Sequence, residues 1–227
     1  MTTDKKIPEC IAIILDGNRR WAKAKNLPSL EGHRRGVKRL KEAAHWVRDR
    51  GIKHLSVYTF STENWNRSEE EIFYLLKLFR TVTDDLFKEL SEDNIRIKFV
   101  GERARFDSDT QSAMTRLEEK SFENERLTLW VCVSYGGRAE IVAAANQASK
   151  EGRVTEETLA KHLWTVGMPD PDIIIRTGGD KRLSGFLTWQ SVYSELFFID
   201  EYWPDFNEVI LDSILAEYAT RPRRMGK

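Results

Sequence analysis

The sequence predicts an α/β protein: a single domain over residues 1–227 with a central, mainly parallel six-stranded sheet flanked by helices. Three observations predict it. Short apolar runs alternate along the chain with longer amphipathic ones. The short runs are continuously apolar, as befits strands buried on both faces, rather than alternating. No repeat, low-complexity tract or linker-like Pro/Gly/Ser run divides the 227 residues, of which 41% are apolar, enough for one sizeable core.

The first strand spans 11–15 and ends on a carboxylate, Asp16. The chain then turns through Gly17 and Asn18 into a basic segment of helical pattern with Arg19, Arg20 and Trp21. Further strands are expected at 55–60, 95–100, 127–133 and 173–176, and a sixth at 186–190. Helices are expected at 36–50, 69–90, 108–123, 139–150 and 155–164, with a closing helix at 205–219. The 69–90 helix is unusual. Ile72, Leu75, Leu76, Phe79, Val82, Leu86 and Leu90 form one apolar stripe, and Phe73, Leu78 and Phe87 widen it beyond the usual angle. Core packing or a subunit interface accounts for such a stripe; so does the wall of an apolar cavity.

Formal net charge is zero, so no global field points to nucleic acid. The excess of Lys and Arg over residues 19–41 suits a pocket for a small anion. The two cysteines, Cys10 and Cys132, lie in apolar strand patterns; a disulfide framework is excluded, no Cys/His spacing suggests zinc, and buried thiols are expected. Residues 1–9 are polar, without the apolar stretch of a secretory signal. No apolar run approaches the roughly 20 residues that span a bilayer. A cytoplasmic protein is expected, one that a lipid substrate could bring to a membrane surface.

The chemistry-bearing residues follow the strands. Asp16, Gly17, Asn18, Arg19, Arg20 and Trp21 follow the first, and Ser61, Thr62, Glu63, Asn64, Trp65, Asn66 and Arg67 the second. Tyr135, Gly136, Gly137 and Arg138 follow the fourth, and Thr177, Gly178, Gly179, Asp180, Lys181, Arg182, Leu183 and Ser184 the fifth, which ends on Arg176. In a parallel sheet these four loops share one rim, where open α/β sheets bind ligands. Glycines let a backbone approach a phosphate, arginines hold it with forked hydrogen bonds, and a carboxylate can hold its divalent cation. The alternative is plain: Asp16 caps a helix, the arginines are solvated and the Gly-rich loops are tight turns. Walker, dinucleotide, nucleophile-elbow and zincin motifs are absent. His33, at the start of a basic helix, could donate to an anion; His45, His54 and His162 read as structural or surface residues.

In order along the chain, these residues match one family. The motifs are Asp16-Gly-Asn-Arg-Arg-Trp21, Gly32-His-Arg-Arg-Gly36, Phe60-Ser-Thr-Glu-Asn-Trp-Asn-Arg67, Tyr135-Gly-Gly-Arg138, Ile175-Arg-Thr-Gly-Gly-Asp180, Arg182-Leu-Ser184, Trp189-Gln190, Glu195-Leu-Phe and Trp203-Pro-Asp-Phe206. Over nearly its whole length the chain resembles the cis-prenyltransferases, most closely undecaprenyl diphosphate synthase-like enzymes. The resemblance implies a Mg²⁺-dependent transferase that joins isopentenyl diphosphate to an allylic diphosphate such as farnesyl diphosphate, making a cis-polyprenyl diphosphate lipid carrier for cell-wall or glycan synthesis. It implies a homodimer, an apolar tunnel within the fold, no transmembrane segment, and a product delivered to the membrane.

The resemblance also implies roles. Asp16 would handle magnesium and the diphosphate, and Asn64 the proton removal. Gly17, Asn18, Arg19, Arg20 and His33 would hold the allylic diphosphate, with Arg67 nearby. Trp21, Ser61, Thr62, Glu63 and Trp65 would shape the substrate site. Arg176, Arg182 and Ser184, with Leu183 between them, would hold isopentenyl diphosphate. Glu195 would be a second magnesium-associated carboxylate. The C-terminal tail, 221–227, would reach the partner subunit's site through Arg224 and Gly226, while 1–6 form a polar N-terminal tail.

The chain departs from the family pattern at several positions. Ser29 stands where many members carry a phosphate-binding Arg, Ser68 replaces a common Pro, and Asp180 and Lys181 stand where Glu and His are frequent. Thr59 replaces a small Ala at the tunnel, which bears on product length. Two other readings were weighed. A non-catalytic subunit usually loses the Asp-Gly-Asn-x-Arg motif, which is kept here, and a diphosphate hydrolase is disfavoured by the lack of a dense carboxylate cluster.

Overall fold

The computed structural model describes residues 7–84 and 86–222. Among the described residues six strands form one sheet in the order β3-β4-β2-β1-β5-β6: β1 (Cys10–Ile14), β2 (His54–Ser61), β3 (Ile95–Val100), β4 (Leu127–Tyr135), β5 (Ile173–Arg176) and β6 (Glu195–Phe198). Every pairing is parallel. The helices are α1 (Asn18–Ala24), α2 (Ser29–Asp49), α3 (Glu69–Asp84), α4 (Leu86–Glu92), α5 (Ser108–Lys120), α6 (Gly137–Ala148), α7 (Glu156–Ala160) and α8 (Glu208–Thr220). From β1 the chain steps to β2 on one side; from β5 it steps to β6 on the other. The carboxyl ends of β1 and β5 therefore flank the point where strand order reverses, and Ile14 pairs with Arg176 there.

The two faces of the sheet carry different cores, as the two-residue period of a strand demands. Ile11 and Ile13 point into the larger core with Leu40, Val47, Val57 and Leu129, over which α8 packs through Leu211, Ile214 and Tyr218. Ala12 and Ile14 face the other way, against Tyr58, Trp130, Cys132, Ile174 and Phe186. Both cysteines are free and fully buried, and burial pushes the Cys132 thiol up to about 12. Among the described residues no helix is long and apolar enough to cross a membrane.

The sixth strand is Glu195–Phe198, not 186–190. The apolar residues Phe186 and Leu187 are buried, but Ser184, Gly185 and Leu187 have positive φ (53°, 78° and 45°), which no extended strand accommodates. That segment is a chain of turns whose apolar side chains fill the second core. Helix α2 begins at Ser29, seven residues before the expected start, so His33 lies within it rather than at its beginning. The closing helix starts at Glu208 because Asn207 caps it, its Oδ1 accepting from Ile210 N at 3.1 Å. Thr155 caps the short α7 in the same way.

Helices α1 and α2 cross at close range, and glycine permits it. A Cβ on Gly32 would lie 2.0 Å from the Asn18 carbonyl oxygen, and one on Gly36 would lie 2.4 Å from Asn18 Oδ1. The i, i+4 glycines of Gly32-His-Arg-Arg-Gly36 thus make a groove that seats Asn18 at the sheet rim. A helical Gly→Ala change ordinarily stabilises by about 1 kcal/mol. Gly32→Ala should do the opposite, destabilising by about 1–3 kcal/mol because the clash is with backbone. A lower urea midpoint for the variant is the expected measurement; an unchanged or higher one contradicts the close crossing.

Candidate active site

Asp16 lies just past β1, and its carboxylate does not cap α1; the cap residue is Gly17, with φ 105° and no side-chain cap. Instead it is divided between two guanidinium groups. Oδ2 accepts from Arg176 Nη2 at 2.8 Å, and Oδ1 lies 3.1 Å from Arg20 Nη2. The backbone carbonyl of Asp16 accepts from Thr177 Oγ1 at 2.6 Å and from Trp203 N at 2.9 Å. Two segments distant in sequence, Arg176–Thr177 and Trp203, together with the neighbouring Arg20, therefore fix this residue.

The charges continue outward in alternation. Arg20 also reaches Asp180 Oδ2 at 3.3 Å, and Arg182 Nη1 donates to Asp180 Oδ1 at 2.8 Å. Arg176 is buried, with only 5% of its side chain exposed, and donates through Nη1 to Ser184 Oγ at 2.8 Å and to the Arg182 carbonyl. On the other flank, Arg67 Nη1 donates to Glu71 Oε1 at 2.8 Å, and Arg19 Nη1 contacts the same oxygen at 3.4 Å. His33 is held neutral at pH 7: burial first, then the nearby Arg67 guanidinium, lowers it to about 4.

Beneath this rim lies a cavity of about 990 Å³, near the upper end of the range for ligand pockets. Its mouth is polar, with Asp16, Gly17, Asn18, Arg19, Arg20, His33, Ser61, Asn64, Arg67 and Arg176. Its depth is apolar, with Val37, Leu40, Phe60, Leu75, Leu76, Leu78, Phe79, Phe87, Phe106 and Val133. Of the wide stripe over 69–90, Leu75, Leu76, Leu78, Phe79 and Phe87 line the cavity and Leu90 is buried in the core, whereas Phe73 is 71% exposed. Thr59 lines the cavity, its hydroxyl donating to the Cys132 carbonyl at 2.9 Å. Asn64 Oδ1 accepts from Ser61 N at 3.0 Å, which leaves the amide NH₂ as the group available to a ligand.

Other expected site residues lie elsewhere. Trp21 Nε1 donates to Asp205 Oδ1 at 2.8 Å, tying α1 to the Trp203–Asp205 turn. Trp65 Nε1 donates to Ser134 Oγ at 2.9 Å while its ring packs edge-on against Phe60 and Phe106. Thr62 lies against Gly136, and Leu183 packs on the second core. Glu63, in the Thr62–Asn66 turn, lies close enough to Tyr58 to push its hydroxyl pKa up, behind the larger effect of burial. Glu195 pairs in register with Ile173, which is level with Ile11, and its Oε2 accepts from Arg221 Nη1 at 2.6 Å. It is thus at the opposite end of the sheet from Asp16, roughly 15 Å along the strand direction at about 3.3 Å per residue. Arg224 and Gly226 lie outside the described residues, as do residues 1–6.

Thr177 and Trp203 are functional neighbours that sequence reasoning left without a role, although both stood inside quoted motifs. Among the described residues no group of three or more His, Cys, Asp or Glu side chains is placed to hold a metal. The donors at the rim nevertheless fit Mg²⁺, which takes one or two carboxylates and completes its shell with substrate phosphates and water. Asp16 supplies a carboxylate, and Asn18 Oδ1 is a buried acceptor without a hydrogen-bond partner in the same cavity wall.

Comparison with known proteins agrees with this geometry. The family described as "Putative undecaprenyl diphosphate synthase" matches residues 14–226. An isoprenyl transferase of Neisseria gonorrhoeae is 44% identical, covering 97% of this chain and 90% of that protein. A ditrans,polycis-undecaprenyl-diphosphate synthase ((2E,6E)-farnesyl-diphosphate specific) of Micrococcus luteus is 41% identical, covering 97% and 92%. The crystal structure of lavandulyl diphosphate synthase from Lavandula x intermedia, in complex with dimethylallyl diphosphate, superposes with a TM-score of 0.92 at 33% identity over 97% of this chain and 98% of that one.

The His33 environment has a consequence for stability. Its pKa is lower in the folded protein than the usual 6.5, so between those values the unfolded chain binds the proton and the folded one does not. Stability therefore falls as pH drops from about 6.5 to 4, and this contribution is flat on either side. Chemical denaturation across that window should show a shallower fall for His33→Gln than for the natural chain; identical slopes would mean that His33 is not held neutral beside Arg67.

Proposed function

Because the chain belongs to the cis-prenyltransferase family of undecaprenyl diphosphate synthase-like isoprenyl transferases, we propose that it condenses isopentenyl diphosphate with an allylic diphosphate to give a cis-polyprenyl diphosphate. The observation that carries this reading is the joining of an arginine-rich rim to a largely apolar cavity of about 990 Å³. A cationic mouth over an apolar interior is what a substrate with a diphosphate head and a growing hydrocarbon tail requires.

Two anionic heads must lie side by side. Arg19, Arg20, His33, Arg67 and the Gly17–Asn18 turn are assigned to the allylic diphosphate. Arg176, Arg182 and Ser184 are assigned to the isopentenyl diphosphate, and the Asp16–Arg176 ion pair, buried on its arginine side, spans the two. In the reaction the allylic C–O bond breaks, diphosphate leaves with the bonding pair, and the isopentenyl double bond attacks the allylic carbon. A proton then passes from the new adduct to a diphosphate oxygen, restoring a double bond. Mg²⁺, held by Asp16 with Asn18 beside it, would neutralise charge on the departing diphosphate. The arginines hold both heads so that the reacting carbons stay within attack distance. Asn64, whose amide oxygen is engaged by Ser61 N, is a donor that orients the proton acceptor; an amide is too weak a base to keep the proton itself. The apolar depth excludes water from the allylic cation.

Trp21 and Trp65 act from behind the cavity, by fixing α1 and the Thr62–Asn66 turn. Glu195 is not placed to share an ion with Asp16 inside one chain, so a metal role for it would be exercised toward a second copy. A homodimer is supported by the open edge at β6, beside which Val192 and Tyr193 are 72% and 63% exposed. Service as a membrane lipid carrier for cell-wall or glycan synthesis is the product role that this reading implies.

The test is incubation of purified protein with labelled isopentenyl diphosphate, farnesyl diphosphate and Mg²⁺, with sizing of the lipid product; no chain extension would refute the assignment. Asp16→Ala should lower kcat by about 10²–10³-fold in a protein that remains folded by circular dichroism, the cost of one charge contact made in the transition state. Near-normal turnover would remove Asp16 from the chemistry. Thr59→Leu, which adds bulk inside the cavity, should shift the product to shorter chains, read by mass spectrometry.

A further inference from the structure

Glu71 neutralises two cations of the cavity mouth. It sits in the first turn of α3, and one of its oxygens, Oε1, serves both Arg67 Nη1 (2.8 Å) and Arg19 Nη1 (3.4 Å). The two arginines come from different elements, α1 and the turn before α3, and both line the cavity mouth. Glu71 and Arg67 are 27% and 30% exposed, so water screens that pair incompletely, while the longer contact to Arg19, 59% exposed, is the looser one. His33, neutral in the same cluster, does not contribute a third cation at pH 7.

We propose that Glu71 is an internal anion that competes with the incoming diphosphate for Arg19 and Arg67, setting the affinity of that subsite and linking its filling to α3. The proposal rests on the diphosphate reading given above. With the site empty, the carboxylate keeps two guanidinium groups from repelling each other and holds them facing the cavity. A diphosphate offers several charged oxygens to the same forks and is the better match. Once it is bound, Glu71 faces a like charge at hydrogen-bond distance, which is unfavourable. The carboxylate then withdraws, and the first turn of α3 loses its tie to α1. The same helix supplies Leu75, Leu76 and Phe79 to the cavity wall, so an event at the headgroup is transmitted to the surface that the hydrocarbon tail passes.

The sign of one substitution separates this role from a merely supporting one. Inorganic pyrophosphate is titrated calorimetrically into the full chain at pH 7 and low salt, for the natural protein, Glu71→Gln and Glu71→Asp, each checked by circular dichroism. Glu71→Gln should bind pyrophosphate about three- to tenfold more tightly, the range expected for releasing two partly exposed ion pairs, while Glu71→Asp stays near the natural value. Hydrogen exchange at the first-turn amides of α3 should quicken with pyrophosphate in the natural protein and not in Glu71→Gln. Equal or weaker binding by Glu71→Gln, or no change in exchange in the natural protein, overturns the proposal. If the natural protein makes product while Glu71→Gln shows no gain in affinity, the Glu71 role alone fails. Pyrophosphate that binds none of the three proteins overturns the diphosphate reading together with it.

Discussion

The site depends on keeping a carboxylate, Asp16, among arginines. An isolated carboxylate at that rim would repel any anionic ligand. Flanked by Arg20 and the buried Arg176, it is neutralised without being withdrawn. The clamp is also mechanical. Thr177 follows β5 and Trp203 comes late in the chain, and both grip the Asp16 carbonyl. The residue thus sits at the reversal of strand order with its orientation set by two remote segments and the neighbouring Arg20, a preorganised arrangement that needs no rearrangement when charge develops.

The sheet separates two tasks. On one face, strands and helices enclose a cavity whose walls come from β2, α2, α3 and α5's neighbourhood; on the other, aromatic side chains such as Tyr58, Tyr135 and Phe186 pack against one another. Tyr58 joins the two, since it lines the cavity and its hydroxyl donates to the Tyr135 carbonyl at 3.1 Å. Apolar depth and charged mouth are therefore parts of one continuous surface. A ligand can place its anionic head in a field of arginines while its tail stays dry, which neither the cavity nor the rim alone would permit.

Much of this was legible in residues 14–21 and in the loops after the other strands, because parallel strands place their following loops at one edge. The wide stripe of 69–90 was legible as a buried face, but its apolar arc suits core, interface or cavity wall alike, and packing decides which residues do which. The less legible parts were those in which a side chain's partner is remote. Trp21 reads as a substrate-facing aromatic, yet its indole is committed to Asp205. Glu195 reads by resemblance as a second magnesium-associated carboxylate, and parallel register places it at the far end of the sheet beside Arg221. The run 186–190 reads as a strand by apolarity, yet positive φ at its start makes it a turn.

By itself the sequence determined the α/β class, the parallel sheet and the set of residues at its carboxyl rim, because these follow from local periodicity and from where each strand stops. Tertiary structure alone decided which charges meet: that Asp16 is shared by Arg20 and Arg176, that Glu71 bridges Arg19 and Arg67, and that Glu195 stands apart. The reason is physical. Periodicity is set by a residue's near neighbours in the chain, whereas an ion pair depends on distances of a few ångströms between elements separated by up to 160 residues, which only the packing of the whole domain establishes.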